Sequence, residues 1–216
     1  MKTYLLDSSV RDLTADVIAS DGSLRIMPAS YYLSITQEER LLLAQRHALY
    51  ALPTVECVEW LRERIGTRSA IEVACGNGAL GRALGIVRTD NRLQERPEIQ
   101  LLYRSLDQPT IRYGNDVETL DAVEAVKKYR PQVVIAAWFT HKYDPRHPER
   151  GGNTYASDEQ ELLSLCEEYI LVGNFSPHSM HPLLQQPREL FQFPWLFSRS
   201  PESERNFIAC WRSNGR

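Results

Sequence analysis

From residue 69 onward, short apolar runs alternate with stretches whose apolar residues recur at helical spacing. The runs at 69–75, 85–90, 110–113, 132–138 and 169–173 read as strands, and 132–138 is apolar throughout, as in a strand covered on both faces. Between them, 79–84, the polar stretch up to 102, 117–129 and 159–168 read as helices. In 117–129, Leu120, Val123 and Val126 form the apolar stripe. The runs 193–197 and 206–211 read as an antiparallel pair joined by the polar loop 198–205. Ahead of this, 1–35 lacks a periodic signal and reads as a loose cap or arm. Thr36-Gln-Glu-Glu39 is a capping box that opens a helix over 40–52. Pro53-Thr54 then stops one helix and starts another over 55–65, where Val55, Val58, Leu61 and Ile65 share a face before Gly66.

Strands alternating with helices predict a doubly wound α/β fold. The expectation is a mostly parallel seven-stranded sheet with helices on both faces, a closing antiparallel hairpin and an N-terminal helical extension. The boundaries are 1–54 for the extension and 55–216 for the α/β domain. In such sheets ligands bind beyond the carboxyl ends of the strands, where the strand order reverses.

Composition narrows the class. The chain has 216 residues, 43% hydrophobic and 25% charged, with a formal net charge of −3, which speaks against a broad nucleic-acid surface. The basic cluster Lys127-Lys128-Tyr129-Arg130 ends a predicted helix and reads as a solvated terminus. Cys57, Cys75, Cys166 and Cys210 are scattered without a C-x-x-C pair and read as reduced thiols. Charges at Asp7, Arg11 and Asp12 interrupt any signal-peptide core, and no run reaches transmembrane length. The expectation is a cytoplasmic protein that does not enter membranes.

The most informative stretch is Ala70-Ile-Glu-Val-Ala-Cys-Gly-Asn-Gly78: a strand carrying one acid, then a glycine turn, then a helix start. Glycine lets the chain turn sharply and a ligand approach bare backbone, with the N–H groups of the helix start facing it. Gly76-x-Gly78-x-x-Gly81 fits the dinucleotide fingerprint. Glu72-Val-Ala-Cys-Gly76-Asn-Gly78 also resembles the acid-x-Gly-x-Gly-x-Gly signature of class I S-adenosylmethionine-dependent methyltransferases, with Ala74 in place of the first glycine. The acid favours this second reading, because a carboxylate in a buried strand is costly without a task. A structural ion pair of Glu72 with Arg82 or Arg88 is the alternative, and Gly81 has a plain packing role available.

The resemblance covers about residues 55–213 and implies S-adenosylmethionine as cofactor. It places Glu72 near the methionine end, with Ala74, Gly76, Asn77 and Gly78 under the ribose and amino-acid portion. Asp90, after the second strand, accepts from the ribose hydroxyls or else caps the next segment. Asp116 contacts the adenine amino group with Val117 against the ring, or else caps a helix. Helices ahead of the first strand often cover the cofactor side in this family.

The fourth strand delivers Trp138-Phe-Thr-His141-Lys-Tyr143-Asp144 into the crevice, and a long loop, 145–157, follows. The Asp/Asn-Pro-Pro-aromatic motif of amine-modifying relatives is missing there. An imidazole suits a general base near neutral pH, so His141 is the candidate base, with Tyr143 or Asp144 orienting it or the substrate. His147 and Glu149 match no recognised metal-ligand spacing. His178 and His181 face either the crevice or solvent, and Trp195 and Trp211 either a partner or the core. The acceptor implied is a small molecule or protein. Two other readings stay open: a nicotinamide-dependent oxidoreductase, and a non-catalytic binding domain of the same fold.

Overall fold

The computed structural model describes residues 9–213, so the N-terminal reading at residues 1–7 lies outside the described residues. In chain order the elements are α1 (Thr14–Val17), α2 (Ala29–Leu33), α3 (Gln37–Arg46), β1 (Ala51–Leu52), α4 (Val55–Ile65), β2 (Ala70–Val73), α5 (Ala79–Leu84) and β3 (Val87–Asp90). There follow α6 (Pro97–Ser105), β4 (Glu118–Thr119), α7 (Ala122–Tyr129), β5 (Val133–Ala137), α8 (Glu159–Ser164), β6 (Glu168–Asn174), β7 (Glu189–Phe191), β8 (Phe197–Ser198) and β9 (Asn206–Arg212).

The main sheet has seven strands in the order β4-β3-β2-β5-β6-β9-β7, parallel except for β9, which is antiparallel to both β6 and β7. The doubly wound sheet with its closing antiparallel hairpin is therefore present. Strand order reverses between β2 and β5, which puts a crevice beyond Val73 and Ala137. Two-residue alternation sorts the core. Val134, Ala136, Tyr169, Leu171, Phe207 and Ala209 face α7 and α8; Val133, Ile135, Ile170, Val172, Ile208 and Cys210 face α4 and α5.

Capping chemistry explains the helices that matter most. Thr36 and Glu39 form the reciprocal box at the start of α3, and the Thr54 side chain accepts from the Cys57 N–H at the start of α4. On α4, Val58, Leu61 and Ile65 are buried as expected, whereas Val55 is exposed and Cys57 takes its place in the core.

Several expectations are corrected. The helix over 40–52 ends at Arg46, because Ala51–Leu52 pairs with Phe197–Ser198 in a separate two-stranded sheet. The closing strand is therefore Glu189–Phe191 and not 193–197. The third parallel strand is Glu118–Thr119, not 110–113, which is irregular; α7 begins at Ala122, capped by Asp121. Residues 9–35 are no loose arm: Leu13, Val17, Leu24, Ala29 and Tyr32 bury with α3, Phe197 and Ala79 in a third core cluster. All four cysteines are free and buried. No helix among the described residues is long and apolar enough to cross a membrane.

Candidate functional site

The crevice is a cleft of about 240 Å³, walled by the glycine turn, the end of β3, the residues after β5 and the N-terminal segment at Tyr50, Ala51 and Pro53. Bare backbone shapes it. Gly76 and Gly78 have φ of 55° and 72°, and a Cβ on Gly76 would stand 3.6 Å from the Ile111 side chain across the cleft. The absence of that carbon leaves a slot between turn and Ile111. Ala74 also lies in the left-handed region, φ 48°, where glycine is the residue without strain.

Two carboxylates brace this turn from below. Glu72 is 1% exposed, on the α5 side of β2, and its Oε2 accepts from the Gly81 N–H at 2.7 Å. Burial pushes its carboxyl up to about 8, opposed by the Gly81 N–H and by the Arg88 charge. A Cβ on Gly81 would come within 2.6 Å of that oxygen, so this glycine does serve close helix–sheet packing. Glu72 has no ion pair with Arg82 or Arg88, because Asp116 takes both guanidinium groups, at 2.6 and 3.2 Å. Asp90 is 7% exposed; its Oδ2 accepts from the Gly76 N–H at 2.9 Å and its Oδ1 from the Arg92 N–H at 2.8 Å. Burial raises its pKa. Each oxygen keeps a second lone pair, so Asp90 can still accept hydroxyl donors from the cleft.

The far wall carries a polar network that sequence reasoning missed. Gln94 donates to the Tyr103 hydroxyl at 3.0 Å and accepts from the Ile111 N–H at 2.8 Å, while the Tyr50 and Tyr103 hydroxyls meet at 3.1 Å. Desolvation raises the phenols of Tyr103 and Tyr113, so they act as neutral hydroxyls. Their separation along the chain left no local pattern to find. Trp138, after β5, lines the cleft with φ 59°, an uncommon conformation for a bulky residue; its N–H is fixed on the Val172 carbonyl at 2.8 Å.

The structure brings together Glu72, Ala74, Gly76, Asn77, Asp90 and Trp138 around one cleft. Gly78 caps α5 just behind it. Asp116 and Val117 do not line it: Asp116 holds Arg82 and Arg88 outside the turn, and Val117 packs 2.9 Å from where a Gly78 Cβ would be. The strand shift explains this, since residues 120–122 follow β4 and Ala122 reaches the cleft. His141, Tyr143 and Asp144 do not line it either. They face a neighbouring cavity, and Asp144 is paired with Arg146 at 2.9 Å, which pulls its carboxyl down to about 2. His178 and His181 are buried, at 3% and 0% exposure, and not at the surface. Trp211 is core, its indole N–H donating to the Leu183 carbonyl at 3.0 Å.

No protein-family model and no curated protein matches the chain. Solved structures similar to it include an rRNA methylase from Streptococcus thermophilus (14% identity, 72% of this chain and 93% of that one, TM-score 0.40). Another is the Pyrococcus abyssi tRNA (uracil-54, C5)-methyltransferase in complex with S-adenosyl-L-homocysteine (12%, 72% and 37%, TM-score 0.39). A third is a SAM-dependent methyltransferase from Agrobacterium tumefaciens (11%, 74% and 62%, TM-score 0.36). The chain spans 37% of the Pyrococcus abyssi protein, and 48% and 47% of two further similar structures. Likenesses this distant carry no argument about reaction or substrate, and the fold assignment rests on the strand order of the chain itself.

Proposed function

We propose that the cleft binds S-adenosylmethionine and that the protein is a methyltransferase acting on a small-molecule or protein acceptor. One observation carries the reading: a glycine turn at the point of strand reversal, underlain by Glu72 and flanked by Asp90. Carboxyl groups beneath the turn, which a neighbouring positive charge would ionise, suit a cationic ligand and oppose the pyrophosphate of a dinucleotide. The antiparallel β9 inserted between β6 and β7 supports the same choice. Asp90 would take the ribose hydroxyls, and the slot between Gly76 and Ile111 would hold the ligand against bare backbone.

When bound, that cofactor supplies a methyl group on a sulfonium, already activated for in-line displacement. The chain's share is then alignment and exclusion of water. Among the described residues no histidine or lysine lines the cleft, so His141 does not act as a base there. Glu72 and Asp90 line it but already accept from backbone N–H groups, so the reading favours an acceptor whose nucleophile needs no imidazole or amine base. Thr140, Asn153 and Tyr155 offer hydrogen-bonding groups for holding it. Ala74 in place of the signature's first glycine, together with the missing amine-type motif, favours, as a second reading, a domain that binds the cofactor without turnover.

Calorimetric titration of the full chain with S-adenosylhomocysteine and with NAD tests the proposal. The expected result is saturable binding of the first and none of the second. A ligand at a hundredfold excess over its Kd should add about 2.7 kcal/mol of stability. Preference for NAD, or no binding of either, overturns it. Methyl-tritiated cofactor incubated with separated metabolite, protein and nucleic-acid fractions then distinguishes turnover from binding alone.

A further inference from the structure

The cavity beside the cleft has a function of its own to offer. About 360 Å³ in volume, it lies between the loop after β5 and the segments around Glu159 and His181. It meets the cleft along a short ladder in which Asn153 donates to the His141 carbonyl at 2.9 Å and accepts from the Tyr143 N–H at 3.1 Å. Thr140 and Asn153 line the cleft, while His141 and Tyr143 line the cavity.

Its polar groups are unequally satisfied. The Glu159 carboxylate accepts from the Tyr169 hydroxyl at Oε1, 2.5 Å, and has His181 Nε2 2.7 Å from Oε2, off the line of a straight bond, so that both ring nitrogens of His181 are without a hydrogen-bond partner. Asp158 spends its carboxylate on the Gln160 and Glu161 N–H groups, and Asp144 on Arg146. Beside these carboxylates stand groups that are cationic or able to become so. The His141 ring is 7% exposed, its Nε2 has no partner, and its centroid is 5.3 Å from that of His181. The Lys142 ammonium has no hydrogen bond or ion pair among the described residues, and the Arg150 guanidinium has only a 3.9 Å contact with Glu149. No group of three or more potential metal ligands occurs among the described residues. A buried imidazole nitrogen without a partner is costly to leave so.

We propose that this cavity is a second ligand site, taking the oxyanion of a small phosphate- or carboxylate-bearing molecule on His141 Nε2, with Lys142 and Arg150 supplying charge. Burial, His181 and the Arg150 charge hold the His141 ring below its ordinary pKa, with Glu159 and a hydrogen bond to the Arg150 backbone opposing them. Binding an anion therefore draws a proton onto the ring. Affinity falls as pH rises, while the Asp144–Arg146 pair, whose mutual hydrogen bonds lower the one pKa and raise the other, stays charged throughout that range.

Histidine C–H resonances of the full chain, followed in NMR titrations with inorganic phosphate and separately with acetate, test this without any cofactor present. Failure here therefore leaves the reading of the cleft untouched. The expected result is a saturable shift of the His141 signal and a rise in its titration midpoint when ligand is present. Stronger response to one probe identifies the oxyanion. In Lys142→Ala, which alters an exposed side chain, binding should weaken roughly tenfold or more. His141→Asn should abolish proton uptake on binding. An unsaturable shift, or equal binding by wild type and Lys142→Ala, overturns the proposal.

Discussion

The cleft and the cavity beside it share a stretch of chain, yet they use their polar groups in opposite ways. In the cleft the buried acceptors are already answered by backbone: Glu72 by Gly81, Asp90 by Gly76 and Arg92, and the Gln94 carbonyl by Ile111. In the cavity three imidazole nitrogens, His141 Nε2 and both of His181, have no hydrogen-bond partner. Satisfied groups fix shape, so the cleft is pre-organised for a ligand that fits it. Unspent hydrogen-bonding capacity makes the cavity depend on something that arrives.

The strongest way to break this contrast is Glu72→Gln, which keeps an acceptor for Gly81 but removes the ionisable group. The folded-state pKa of Glu72, about 8, stands above the ordinary 4.5. An unfolded chain therefore releases this proton at lower pH than the folded one. The wild type loses stability relative to the variant as pH rises from 4.5 to 8, and the gap is full above 8. Its size is of order several kcal/mol, at about 1.4 kcal/mol per pKa unit. Urea unfolding of both proteins between pH 4 and 9 reads it directly. Parallel curves would mean that the carboxylate is not desolvated. A sulfonium ligand should favour the ionised form, so S-adenosylhomocysteine, which lacks that charge, should lose less affinity in the variant than S-adenosylmethionine does.

Asp90→Ala is expected to cost less, about 2 kcal/mol, since it leaves two backbone N–H groups without their acceptor. Asp90→Asn keeps an acceptor oxygen and should recover at least half of that loss. If Asp90 also receives ribose hydroxyls, Asp90→Ala weakens S-adenosylhomocysteine beyond what the stability loss explains. Comparing thermal denaturation with calorimetric titration separates the two effects. Equal affinity for wild type and Asp90→Ala would make this side chain a brace only.

These variants act on residues that are legible in the sequence, and there is a reason. Glu72, Gly76 and Asp90 lie where periodicity switches from strand to turn, and local chemistry marks such places. The long-range partners were not legible. Asp116 reads as a cap because an acid precedes an apolar run, but Asp121 caps α7 and Arg82 and Arg88 claim Asp116. A two-residue strand such as β4 is too short for alternation to show, and its parallel register with β3 depends on the neighbouring backbone. His141 reads from the sequence as a base in the crevice, yet consecutive residues in an extended segment point to opposite sides. One step along the chain moved it from cleft to cavity.

The smallest effect comes from the position where this chain departs from the glycine signature. Ala74 holds φ at 48°, a conformation that costs an L-residue roughly 1–2 kcal/mol. Ala74→Gly removes that strain but adds backbone freedom to the unfolded chain, worth about 0.4–1 kcal/mol in the other direction. The net gain should lie between about 0 and 1.6 kcal/mol, visible as at most a small rise in the urea midpoint at unchanged slope. Because Ala74 lines the cleft, losing its methyl should also leave S-adenosylhomocysteine affinity equal or higher. A fall in both stability and affinity would mean that the methyl packs against the ligand's path productively. The alanine would then be an adaptation of this cleft to its own occupant, and the strain it carries part of how the turn is held open.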